Sequence, residues 1–150
     1  MKFNSISEIL DFAIDKEEEA YQLYTDLAAN MSRESMRLIF LQFANEEKQH
    51  KAKLLNIQSG KLEIPAAQKV SDLKIGDNLE EVAISSDLTY QQALILAMKA
   101  EKNAYKLYSD LSELATNPAH KALFLQLAQE EARHKLRFEI EYDDFILQEN

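Results

Sequence analysis

The feature that most constrains this chain is that it contains itself twice. Sliding the sequence by 84 residues lays Glu17–Ala28 over Glu101–Ser112 with seven identities in twelve positions. The same shift lays Phe40–Lys51 over Phe124–Lys135 with eight in twelve. One ungapped offset serves both windows, so the spacing between them was copied along with the windows. The repeated unit is therefore a two-segment motif of about fifty residues. Two copies of such a motif naturally pack around a pseudo-two-fold axis.

The periodicity says what each segment is. Ile6, Ile9, Leu10, Ala13, Ile14, Ala20, Tyr21, Tyr24 and Leu27 recur at steps of three and four, which marks one face of a helix. That segment is expected over about 7–30, with Ser5 or Ser7 as its N-cap. A second is expected over about 32–58, capped by Ser32 and ending near Gly60, with Phe40, Leu41, Phe43, Ala44, Leu54 and Leu55 as its apolar stripe. The third covers about 89–115. The fourth covers about 118–147 and opens on Pro118, whose missing N–H costs little in a first turn. Only two Gly and two Pro occur in 150 residues, far fewer than the turns of an all-β fold would need. The stretch of about 59–88, with Pro65 and Gly76, is too long for a tight turn. A helix of about 26 residues is about 39 Å long, and an extended connection of this length can run back along it. The expectation is one all-α domain over 1–150: hairpin (about 7–58), crossover (about 59–88), hairpin (about 89–147). That is the layout of a ferritin-like four-helix bundle with one crossover.

Six residues interrupt these apolar faces with charge. Glu47-x-x-His50 and Glu131-x-x-His134 place a carboxylate and an imidazole on one helical face. They share that face with Phe40, Phe43 and Leu54 in the first copy, and with Phe124, Leu127 and Phe138 in the second. Glu17 falls between Ala13/Ile14 and Ala20/Tyr21, and Glu101 between Ala97/Met98 and Ala104/Tyr105. Glu17 heads a run of three acids, but their copies are Glu101, Lys102 and Asn103, so only position 17 keeps its carboxylate across the repeat. Four carboxylates facing one core would be strongly destabilising without compensation. Two divalent cations supply +4 against that charge. Oxygen-rich ligands with two imidazoles suit iron or manganese better than a thiophilic metal.

The chain resembles the rubrerythrin and bacterioferritin branch of the ferritin-like superfamily. The resemblance rests on Glu17-x-x-Ala20-x-x-x-Tyr24 with Glu46–Glu47-x-x-His50, and on Glu101-x-x-Ala104-x-x-x-Tyr108 with Glu130–Glu131-x-x-His134. It implies that Glu47 and Glu131 bridge two metals. It implies that Glu17 with His50, and Glu101 with His134, complete the ligation. Glu46 and Glu130 resemble the acids that orient a ligand His in that family, and Tyr24 and Tyr108 resemble tyrosines that donate to ligand carboxylates. Two departures stand out. The four-cysteine rubredoxin tail usual in rubrerythrins is missing, since the chain has no Cys. The second metal-facing Glu of their third helix is also missing, because Met98 and Ala104 flank Glu101 at that spacing.

The implied activity is that of a non-haem di-iron oxidoreductase, with manganese or zinc as possible substitutes for the two iron ions. It would reduce peroxide or dioxygen in oxidative-stress defence, and an external protein would supply the electrons. The alternative is a ferroxidase or iron-handling protein whose substrate is Fe(II). Zero Cys excludes a thiol nucleophile and cysteine-ligated centres. The net charge of −9 opposes binding to nucleic acid and to anionic membrane surfaces. No apolar run reaches the roughly 18–20 residues of a spanning helix, and the N-terminus lacks a secretory apolar stretch. A cytoplasmic protein is expected, with a homodimer as the default assembly. His120, Glu18–Glu19 and Glu80–Glu81 read as solvated surface, and the Met residues as core filler.

Overall fold

The computed structural model describes residues 5–60 and 88–149. Four helices account for them: α1 (Ile6–Ala29), α2 (Glu34–Gln58), α3 (Tyr90–Leu114) and α4 (Pro118–Glu149). No strand occurs among the described residues. The expected crossover, with Pro65, Gly76 and Glu80–Glu81, lies almost wholly outside them. None of these helices is long and apolar enough to cross a membrane.

The ends of the helices follow local chemistry. Ser5 Oγ accepts the Glu8 N–H at 3.2 Å and starts α1. Thr89 and Gln92 close a reciprocal capping box at the start of α3: the Gln92 N–H donates to Thr89 Oγ1 at 3.1 Å, and the Thr89 N–H donates to Gln92 Oε1 at 3.0 Å. Asn117 Oδ1 accepts the Ala119 N–H at 2.8 Å, which leaves Pro118 at the first position of α4. The expectation for Ser32 is corrected. The cap of α2 is Arg33, extended and without a side-chain cap bond. The first helical bond runs from the Arg37 N–H to the Arg33 carbonyl, one residue beyond the register Ser32 would need. Glu34 in that first turn places negative charge at the helix N-terminus. Gly60, at φ +78, takes the left-handed conformation just past α2, and its N–H donates to the Ile57 carbonyl at 3.0 Å.

The chain divides into two compact units, Met1–Ile64 and Pro65–Asn150. In the first, α1 packs on α2. The pairing is antiparallel: Gln58 Nε2 donates to Asp11 Oδ1 and Lys51 Nζ to Glu18 Oε1, each at 2.8 Å. Leu10, Ala13, Ile14 and Leu27 of α1 and Phe40, Phe43, Ala44 and Leu54 of α2 are buried. The Tyr24 and Phe43 rings lie 6.1 Å apart. Leu41 and Leu55 do not belong to this stripe: they are 36% and 44% exposed. Each follows a buried residue by one position, and a step of about 100° turns it off the core face.

In the second unit α3 packs on α4 in the same sense. Tyr90 Oη donates to Glu141 Oε1 at 2.7 Å, and the Tyr90 ring meets Phe145 edge-on at 5.2 Å. Ala93, Leu94, Ala97, Met98 and Leu111 are buried, as are Leu123, Phe124, Leu127 and Phe138. Under the 84-residue shift α2 would end at position 142, so α4 runs seven residues further than its copy. Phe145, on this extension, is what closes over Tyr90.

Candidate metal centre

Each hairpin carries one triad of ligand-type side chains in its core. In the first, Glu17 projects from the middle of α1, and Glu47 and His50 from one face of α2. His50 Nδ1 lies 3.7 Å from Glu17 Oε2 and 3.5 Å from Glu47 Oε2. In the second, His134 Nδ1 of α4 lies 3.5 Å from Glu101 Oε1 of α3. Glu131, one turn before His134, completes that triad. Within each triad one potential ligand atom per residue falls within 4.8 Å of the others.

These carboxylates are withdrawn from water. Glu47 is 0% exposed and Glu131 1%, and Glu17, Glu101 and His134 are also buried. His50 is mostly covered. The spacings suit donors around a common cation. Ligand atoms each about 2.1 Å from one ion, at octahedral to tetrahedral angles, stand about 3.0–3.4 Å apart. The His–carboxylate distances are slightly longer than that, and beyond the usual range of N–H···O bonds. Donor chemistry and spacing therefore both fit a cation of the hard-to-borderline class.

The surrounding residues fall out as follows. Tyr24 and Tyr108 are buried at matching places in the two hairpins. Glu46 and Glu130 are half-buried, and Gln126 Nε2 donates to Glu130 Oε1 at 3.3 Å. Glu18 is on the surface, as expected of it, but it holds Lys51 and accepts from Gln22 Nε2 at 3.0 Å. The hydrogen bond from Lys51, followed by that from Gln22, holds its carboxyl below the usual range. Burial, and then the bond to Glu141, push the Tyr90 hydroxyl well above its ordinary value. His120 is half-buried.

Sequence reasoning missed one pair. Lys135 and Glu139 are 2% and 0% exposed, with Lys135 Nζ 4.0 Å from Glu139 Oε1. The repeat held a signal for it: position 139 aligns with Leu55, a carboxylate where the other copy has an aliphatic residue.

The sequence profile of the rubrerythrin family matches residues 8–142. An uncharacterised conserved protein from Magnetospirillum magnetotacticum superposes with a TM-score of 0.73 at 22% identity, over 94% of this chain and 95% of that one. A hypothetical protein from Pyrococcus furiosus gives 0.65 at 30% identity, over 93% of this chain and 89% of that one. The common fold is the ferritin-like four-helix bundle. No curated protein matches the chain.

Proposed function

We propose, for a chain that belongs to the rubrerythrin family, that the two triads hold a pair of iron ions and that the protein is a non-haem di-iron oxidoreductase. The observation carrying this reading is the pair of buried Glu–Glu–His triads, one in each copied hairpin. In the reading, Glu17, Glu47, His50, Glu101, Glu131 and His134 would hold the two ions. The four carboxylates balance two divalent cations, which removes the penalty of burying them.

When bound, two ferrous ions supply the two electrons that reduce hydrogen peroxide to two waters, with two protons taken up. The chain's own residues do the rest. The carboxylates would fix the positions at which oxidant is met. Tyr24 and Tyr108, both buried, would offer hydroxyls to ligand carboxylates, as the family resemblance implies. Glu46 and Glu130 orient the imidazoles. An external electron donor restores the ferrous state.

The test is anaerobic loading with Fe(II), then separate challenge with peroxide and with dioxygen. Fast oxidation by peroxide, with two irons retained per chain, supports the reading. Continued consumption of added Fe(II) with release of ferric product makes it a ferroxidase instead. Bound iron that answers neither oxidant overturns both and leaves a structural role.

A further inference from the structure

The two hairpins treat one copied lysine differently. In the first, Lys51 Nζ donates to Glu18 Oε1 at 2.8 Å, and both side chains are about one-third exposed or more, at 32% and 41%. In the second, the position of Glu18 is Lys102, which offers no acid to Lys135. The acid has moved to position 139 on the lysine's own helix, where the first copy has Leu55. Lys135 and Glu139 are there buried together, 4.0 Å apart.

This places a buried charge row along α4. Glu131, Lys135 and Glu139 stand four residues apart on one face, and all three are buried. Side chains on a helix lean toward its N-terminus, so Glu139 leans toward Lys135 and Lys135 toward Glu131. Lys135 also directly follows His134. An ammonium removed from water acts on a nearby cation with little screening, whereas the half-solvated Lys51 is screened by solvent and salt.

We propose that the buried Lys135–Glu139 pair makes the two metal positions unequal, so that the position served by Glu101 and His134 binds more weakly, fills second and empties first. This rests on the di-metal reading above. Glu139 is the positioning residue: its carboxylate, 4.0 Å from the ammonium, keeps that charge at depth. One pair thus sets which ion is exchangeable, without touching a ligand.

The test is an anaerobic titration of the full chain with Co(II), read by visible absorption and calorimetry. The parent should take two equivalents in steps at least about tenfold apart in Kd. His134→Ala should remove the weaker step. K135M/E139L replaces the buried pair by apolar residues of similar size, a change that cores commonly tolerate, and should bring the steps within about threefold. Lys51→Met should leave the gap within about twofold of the parent's. Glu139→Gln leaves the ammonium to turn toward Glu131 and should widen the gap severalfold, which keeps the test decisive if the double variant loses the parent's helical circular dichroism. Two equal steps in the parent, or a gap that both K135M/E139L and Glu139→Gln leave unchanged, overturn the inference and spare the metal centre. Fewer than two Co(II) per chain overturns the metal centre itself.

Discussion

Glu47→Gln should make the metal-free protein more stable and the metal-loaded protein less so. Glu47 is fully buried and has a carboxylate oxygen within 4.8 Å of one on Glu17. At an effective dielectric constant of about 20, two unit charges at that distance repel by about 3.5 kcal/mol. Small side-chain movements relieve part of this in the metal-free protein. Neutralising Glu47 at constant volume should therefore return about 1–2 kcal/mol, or a rise in Tm of about 2–8 °C for a chain of this size. Glu47→Ala removes the same charge but opens a cavity, so it should stay folded with a smaller gain. In the parent, free metal at about 100 times Kd adds about 2.7 kcal/mol by mass action, and the variants should lose most of it. The duplication makes Glu131→Gln the matched experiment. The assay is thermal melting followed by circular dichroism, with chelator and with anaerobic Fe(II). A Glu47→Gln protein that melts several degrees below the parent in chelator refutes the repulsion argument. One that keeps the parent's full metal-dependent rise refutes Glu47 as a ligand.

Three further outcomes concern the scaffold. Thr89→Ala breaks the capping box of α3 and should lower stability by about 1 kcal/mol, or about 2–4 °C in Tm, read by melting in chelator. Tyr90 has its hydroxyl held neutral in the folded state, so its contribution is present below the ordinary tyrosine range near 10 and is lost as pH rises beyond it; Tyr90→Phe should flatten the alkaline limb of the stability–pH curve. Glu18 has its carboxyl lowered from the usual 4.5 by Lys51, so its contribution is present above that value and fades as pH falls below it. Glu18→Gln should therefore make the acid limb shallower, measured by urea unfolding between pH 3 and 6.

Much of this molecule can be read without coordinates because duplication acts as an internal comparison. A single run of Glu17, Glu18 and Glu19 is ambiguous, but the second copy singles out position 17, and that side chain is the buried one of the three. Caps are harder to read from sequence. Ser32 is a good capping residue, yet the backbone bond from Arg37 to Arg33 sets the start of α2 one residue later. Side-chain chemistry proposes a cap, and the geometry of the preceding turn decides whether it is used. Leu41 and Leu55 mislead for a different reason: hydropathy marks them as core, while their angular position on the helix turns them outward.

Lys135 and Glu139 escaped notice because burial of charge cannot be seen in composition. A lysine four residues before a glutamate is an ordinary surface pattern. What distinguishes this pair is the comparison with the other copy, which has Lys51 paired across to α1 and Leu55 in place of the acid. Identity between the copies marks what both halves must supply: Glu17 and Glu101, Glu47 and Glu131, His50 and His134. A difference carries the opposite information: Glu139 is fully buried where Leu55 is 44% exposed, and a buried position gains nothing in packing from a carboxylate. The exchange of Leu55 for Glu139 is thus not explained by stability of the hairpin. It becomes intelligible if the two halves of a duplicated metal centre need to differ, and a charge one turn beyond the ligands is a means of making them differ while every ligand stays the same.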